Sequence, residues 1–240
     1  MPLRFFGRGS AFADLHNSAF FEHNNELIII DCPATTFQIV KTMDWEKYDN
    51  IYILITHTHG DHAGGVGMML QYVWFASGMK KRATIVAPSE EVKEDLMLLL
   101  NRIEGCEPEW YNITTAADLE KEWLIQAVPT KHTKPLDGKC FGYQLNVDGC
   151  NVVYTGDTAT LEPFVPMLCK GSVLYSEAAT FRSDVHLFLE DMLPIFNDLI
   201  NNGISVYLMH LDREDVVNEM IEGTLIKLAP LYERSEDNNG

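Results

Sequence analysis

The chain is short of cysteine pairs, of positive charge and of long apolar runs, and each shortage removes a class of protein. Its five cysteines are Cys32, Cys106, Cys140, Cys150 and Cys169, an odd number with no Cys-x-x-Cys pair. That argues against a disulfide framework and for reduced thiols in a cytoplasmic protein. Lysine and arginine total 18 against 35 acidic residues, a formal net charge of −17 over 240 residues. Such a field repels phosphate backbones, so extended nucleic-acid binding is disfavoured unless positive charge is local. A bound metal would supply such local charge, which keeps a phosphate-containing small molecule open as substrate. No apolar run reaches the ~20 residues needed to cross a bilayer. The opening residues, Met1 to Gly9, lack the apolar core of a signal peptide. Linkers, low-complexity blocks and repeats of fixed period are missing too. The expectation is one domain over residues 1–232 and a polar tail at 233–240, with no membrane partner.

What is present is a core's worth of apolar residues, 46% of the chain, in short runs that alternate between strand and helix patterns. The patterns predict strands at Leu3–Gly7, Ser18–Glu22, Glu26–Asp31, Ile51–Ile55, Thr84–Ala87, Trp123–Pro129, Phe141–Val147, Asn151–Thr155, Val173–Ser176 and Ser205–Met209. They predict helices at Thr35–Thr42, Gly64–Ser77, Ser89–Asn101, Leu161–Cys169, Leu187–Asn201 and Arg213–Glu222. Asp148-Gly149, between two such strands, is a strong hairpin signal.

The most specific motif is His57-Thr58-His59-Gly60-Asp61-His62, which puts four candidate metal ligands into six residues. It follows the buried-strand pattern Ile51 to Thr56 and precedes a helical one, so it occupies a turn at a strand's carboxyl end, where α/β proteins place chemistry. Three more polar residues recur at strand ends: His132 after Leu124–Pro129, Asp157 after Val152–Gly156, and His210 after Val206–Met209. Five histidines and two aspartates match the ligands needed by two divalent ions that share a carboxylate and a water. His57, His59 and His132 are assigned to one ion, Asp61, His62 and His210 to the other, with Asp157 between them. Imidazole dominance favours Zn2+, with Mn2+, Fe or Co the alternatives.

His57-x-His59-x-Asp61-His62, then His132, the Gly156-Asp157 pair and His210, in that order, resemble the metallo-β-lactamase superfamily. Gly9 to Phe12, Asn17-Ser18 and Ile30-Asp31-Cys32 resemble its first strands. The resemblance implies an α+β fold, an αββα four-layer sandwich of two mixed sheets with metals at one rim. Within the superfamily it runs closest to ribonuclease Z and related phosphodiesterases, which carry a glutamate and a later histidine between the bridging aspartate and the last ligand. Glu177 and His186 occupy that interval. The family's histidine before the glutamate is Ser176 here, and Asp184-Val185-His186-Leu187 departs from the usual surroundings. Only 24 residues separate His132 from Asp157, too few for the basic arm of a tRNA-processing enzyme.

The chemistry so implied is hydrolysis by a hydroxide shared between two metals. Asp61, Glu177 and His186 are the candidate catalytic residues, with Glu177 holding the imidazole and His186 protonating the leaving oxygen. The expected function is a phosphodiesterase acting on a small nucleotide-like diester or an RNA end. The alternatives are an ester, thioester or lactone hydrolase, which would not depend on His186, a di-iron redox protein, and a non-catalytic metal-binding module. The ribonuclease Z resemblance also implies a homodimer. Loops at Gly7–Asn17, Lys131–Lys139 and Phe181–His186 are expected to set specificity, and the substrate itself is not legible.

Overall fold

Alternation of period two decides which way each strand faces. The computed structural model describes residues 2 to 233, so most of the polar tail, residues 234–240, lies outside the described residues. Six strands in chain order form the first sheet: β1 (Arg4–Gly7), β2 (Ser18–His23), β3 (Glu26–Ile30), β4 (Asn50–Leu54), β5 (Ala83–Ala87) and β6 (Tyr111–Thr115). Six more form the second: β7 (Leu124–Pro129), β8 (Phe141–Val147), β9 (Cys150–Tyr154), β10 (Val173–Glu177), β11 (Ser205–Met209) and β12 (Lys227–Leu228). Each sheet begins with three antiparallel strands and continues with parallel ones.

On β3, Ile28 and Ile30 face the space between the sheets, while Leu27 and Ile29 face helices. On β11, Tyr207 and Met209 face inward, while Val206 and Leu208 face the opposite helices. The outer face of the first sheet is covered by α1 (Ala34–Val40), α3 (Val66–Ala76) and α4 (Glu90–Met97). Between α1 and α3 lies the short α2 (Gly60–Ala63). The outer face of the second sheet is covered by α5 (Leu189–Asn201) and α6 (Glu214–Met220). The layers are therefore α, β, β, α, the architecture implied by the resemblance.

Strand β1 and the segment after β12 meet across the sandwich: Phe5 N–H donates to Pro230 O at 2.9 Å, and Tyr232 N–H to Phe5 O at 2.7 Å. The hairpin β8–β9 turns on Asp148 and Gly149, with φ of 52° and 81°. Both values belong to a type I′ turn, whose twist matches that of the strands.

The helix expected over Leu161–Cys169 is not formed; a single 3₁₀ turn, Val165–Met167, stands there. Pro163 and Pro166 lack the N–H groups a helix needs, and Asn151 Nδ2 donates to Met167 O at 2.9 Å, tying this segment to β9 instead. The helix expected over Gly64–Ser77 starts at Val66, with α2 split off before it. The one expected from Ser89 changes to π geometry over Leu98–Ile103. Strands β6 and β12 were not expected from the patterns.

Candidate metal centre

Five strand ends deliver the polar residues to one rim. Beyond β4, Thr56 and His57 are fully buried, and α2 carries Asp61 and His62. His132 follows β7, Asp157 follows β9, Glu177 ends β10 and His210 follows β11. The backbone is bent where these residues leave the sheets. Asp31 and His210 sit at φ of 60° and 53°, the left-handed region that non-glycine residues occupy rarely and keep only where the surrounding structure holds them. Gly156 has φ 59°, and a Cβ there would lie 2.5 Å from Phe141 O. Glycine is therefore required in front of Asp157.

All seven expected ligands come together. His57, His59 and His132 form one group, Asp61, His62 and His210 a second, and Asp157 joins His57 and His62 in a third. Asp157 Oδ2 stands 3.9 Å from His57 Nε2, 3.7 Å from His132 Nε2 and 3.3 Å from His210 Nε2. Its Oδ1 lies 3.4 Å from His62 Nε2. Asp61 Oδ2 lies 3.4 Å from both His62 Nε2 and His210 Nε2. Among the described residues, His62 Nε2 and Asp157 Oδ1 are buried without a hydrogen-bond partner. Ligand atoms of a tetrahedral ion with bonds of about 2.0–2.1 Å stand about 3.3–3.4 Å apart. These spacings exceed a good hydrogen bond and approach such a polyhedron, so the donor set fits divalent metal.

The far sides of the rings are fixed. His62 Nδ1 donates to Asp31 Oδ2 at 2.8 Å. Asp31 also accepts from the Thr56 backbone N–H at 2.8 Å and from its hydroxyl. Thr56 Oγ1 in turn lies 3.1 Å from His57 Nδ1. His132 Nδ1 donates to Val185 O at 2.8 Å. With Nδ1 occupied, each of these rings turns Nε2 toward the cluster, which is how metal-binding imidazoles are oriented. Asp31 and Thr56 were not singled out as site residues from the sequence. The signal was available for Asp31, a carboxylate at the end of an apolar strand like Asp157.

Burial pushes the His57 pKa well below the usual histidine range, and it lowers those of His59 and His132. Neutral rings are the form that binds metal. Burial also opposes charge on His62, but Asp157 and Asp31 outweigh it and hold its pKa well above the usual range. Asp157 is held low in the same way, burial being overcome by His210 and His62.

Glu177 and His186 meet at the mouth of the cluster, with His186 Nδ1 2.7 Å from Glu177 Oε2. Glu177 is fully buried, and its other oxygen accepts from the Thr158 backbone N–H. Burial opposes charge on His186, yet the hydrogen bond and the charge of Glu177 push its pKa up to about 9. The ring stands 4.9 Å from that of His132 and 5.4 Å from that of His210. Above this floor is a cavity of about 360 Å³, near the lower end of small-molecule sites, about 300–1,000 Å³. Ser10, Ala11 and Phe12, then His132 and Thr133, then Phe181, Val185 and His186 line it, so all three loops expected to set specificity reach it. Among the described residues no lysine or arginine lines it.

An αββα sandwich with a histidine–aspartate cluster at one rim defines a metallo-β-lactamase-fold protein. The metallo-β-lactamase fold protein YhfI from Bacillus subtilis superposes with a TM-score of 0.73 at 16% identity, covering 95% of both chains. A family model described as anti-Pycsar protein Apyc1 matches residues 1–226, and the chain belongs to that family. It is 26% identical over 234 residues to the anti-Pycsar protein Apyc1 of Bacillus phage 010DV004, covering 88% of each. It is also 33% identical over 96 residues to a ribonuclease Z of Methanococcus maripaludis, covering 39% of this chain and 31% of that protein. Among the described residues no helix is long and apolar enough to cross a membrane.

Proposed function

We propose that the chain is a phosphodiesterase that uses two divalent metals on a small nucleotide, a cyclic nucleotide above all. The observation that carries this reading is the hydrogen-bonded pair of buried Glu177 and partly exposed His186 beside the ligand cluster. A thioester or an activated ester expels its leaving group with little help, whereas an alkoxide leaving a phosphodiester gains from a proton donor. The names of the relatives, anti-Pycsar protein and ribonuclease Z, support the same substrate class. So does the cavity, which has room for a small molecule and no row of cations for a polymer.

In this reading His57, His59 and His132 hold one ion, Asp61, His62 and His210 the other, and Asp157 lies between. The chemistry supplied with the ions bound, Zn2+ by the imidazole-rich donor set, is activation of water and polarisation of the phosphoryl oxygens. Glu177 fixes the His186 ring by accepting from Nδ1, and Thr158 fixes Glu177. His186 then offers its Nε2 proton to the departing oxygen. A donor of this kind contributes roughly two to four orders of magnitude.

The test is hydrolysis of 3′,5′-cyclic nucleotides by metal-loaded wild type and His186→Ala, with a p-nitrophenyl ester alongside and metal content measured on both. The expected result is two metals per chain in each protein and a fall of about 100-fold or more on the cyclic nucleotide in the variant. Turnover of ester alone, or turnover indifferent to His186, would move the assignment to the ester and thioester hydrolases of this fold.

A further inference from the structure

We propose that Phe12 and Phe181 form a stacking mouth that takes the flat base of the nucleotide whose phosphate meets the metal cluster. This rests on the phosphodiesterase reading and names the part of the substrate that the cavity wall would recognise. Phe12 is 102% exposed and Phe181 49% exposed, yet both line the cavity above the histidines. Single exposed apolar residues are common on protein surfaces and carry little meaning alone. These two differ in how their backbones are held.

Phe12 rides on a tight turn closed by Ala13 N–H donating to Ser10 O at 3.0 Å. The base of that turn is pinned: Ser10 N–H donates to Leu211 O at 2.9 Å, Leu211 N–H to Arg8 O at 2.9 Å, and Gly9 N–H to Leu15 O at 3.1 Å. Phe181 is held from the other side. Asp212 accepts from the Thr180 backbone N–H at 2.9 Å and from its hydroxyl at 2.5 Å, and Ala179 N–H donates to Leu187 O at 2.8 Å. Both aromatics are therefore fastened to Leu211-Asp212, the two residues after His210. A wall whose backbone is anchored to the segment after His210 avoids the ordering cost of a loose loop, leaving only the side-chain rotamers to be fixed.

The polarity of the wall points the same way. No lysine or arginine among the described residues lines the cavity, so one phosphate at the cluster, and not a chain of them, suits it. Asp212 is already engaged by Thr180, which makes it a positioning residue for Phe181 and leaves few polar groups to read a base edge. Stacking uses the face that every base has, so recognition of this kind tolerates base identity. Removing the base should matter more than exchanging it.

The experiment compares kcat/KM for a 3′,5′-cyclic nucleotide and for the same cyclic ribose phosphate without its base, in metal-loaded wild type, Phe12→Ala, Phe12→Trp and Phe181→Ala. Wild type is expected to prefer the nucleotide about tenfold or more, through KM. That preference collapses toward one in the alanine variants and is kept by Phe12→Trp. Titrating Phe12→Trp with a cyclic nucleoside phosphorothioate should quench the added indole emission, and the base-free compound should not. Hydrolysis of both compounds with a ratio that neither alanine variant changes overturns the stacking mouth and leaves the phosphodiesterase standing. Hydrolysis of neither by wild type removes the phosphodiesterase reading and the mouth with it. A Phe12→Ala variant whose only change is its oligomeric state also overturns the proposal, by giving Phe12 to a second copy of the chain.

Discussion

Asp31 shows what a single carboxylate does from behind the metal cluster. Buried and left-handed, it accepts from His62 and from both donors of Thr56. Asp31→Ala should weaken metal binding about 10–100-fold, read by elemental analysis after dialysis against graded chelator, while the fold signal in far-UV circular dichroism is retained. His186 carries a second prediction. With its pKa up at about 9, its proton is present below that pH and lost above it. Turnover of a diester with a poor leaving group should therefore fall as pH rises through about 9, and that limb should vanish from the pH profile of His186→Ala. The seven candidate ligands were legible as a group because they follow apolar strands, where the chain has no packing reason for a polar residue, and the fold brings them together. Asp31 carried the same signal, but its role depends on Thr56 and His62, which are 25 and 31 positions away. Phe12 gave no signal, since its exposure is a property of the folded turn.

At the scale of elements, strands bounded by turn residues were readable and those without their own pattern were not. Strand β6, Tyr111-Asn112-Ile113-Thr114-Thr115, buries only its two ends and owes its form to pairing with β5 along all five residues. Two-residue β12 exists by pairing with β11. The helix expected at Leu161–Cys169 does not form because Pro163 and Pro166 interrupt its apolar spacing. The turn between β9 and Asp157 is the element most sensitive to a small change. Gly156→Ala would force φ 59° on an L-residue and drive a Cβ against Phe141 O. The expected cost is about 1–3 kcal/mol, visible as a lower Tm, together with weaker metal binding because Asp157 moves with the turn.

For the whole molecule, the candidate ligand cluster joins the two sheets. His57, His59, Asp61 and His62 come from the first sheet's connections, and His132, Asp157 and His210 from the second's. Metal that binds only the folded chain should stabilise it by about 2.7 kcal/mol at one hundred times its Kd. Chelation should lower Tm and Zn2+ should restore it, as followed by scanning calorimetry. The sandwich was legible as a whole because the motifs came in order, but the pairing of Phe5 with Pro230 and Tyr232 was not. Backbone pairing between distant segments leaves no mark in side-chain pattern.

Each sheet is made of consecutive strands, and this sets an order of events during synthesis. The ribosome delivers β1 to β6 complete, with His57, His59, Asp61 and His62 already in the chain, before β7 is made. That nascent half has a partial ligand set and the whole apolar inner face of its sheet, including Ile28, Ile30 and Leu54, with nothing yet to cover it. His210 and the segment that pins Phe12 emerge late. The seven-residue cluster and the pinned turn beneath Phe12 are thus completed only late in synthesis, and a chain truncated before β11 has neither.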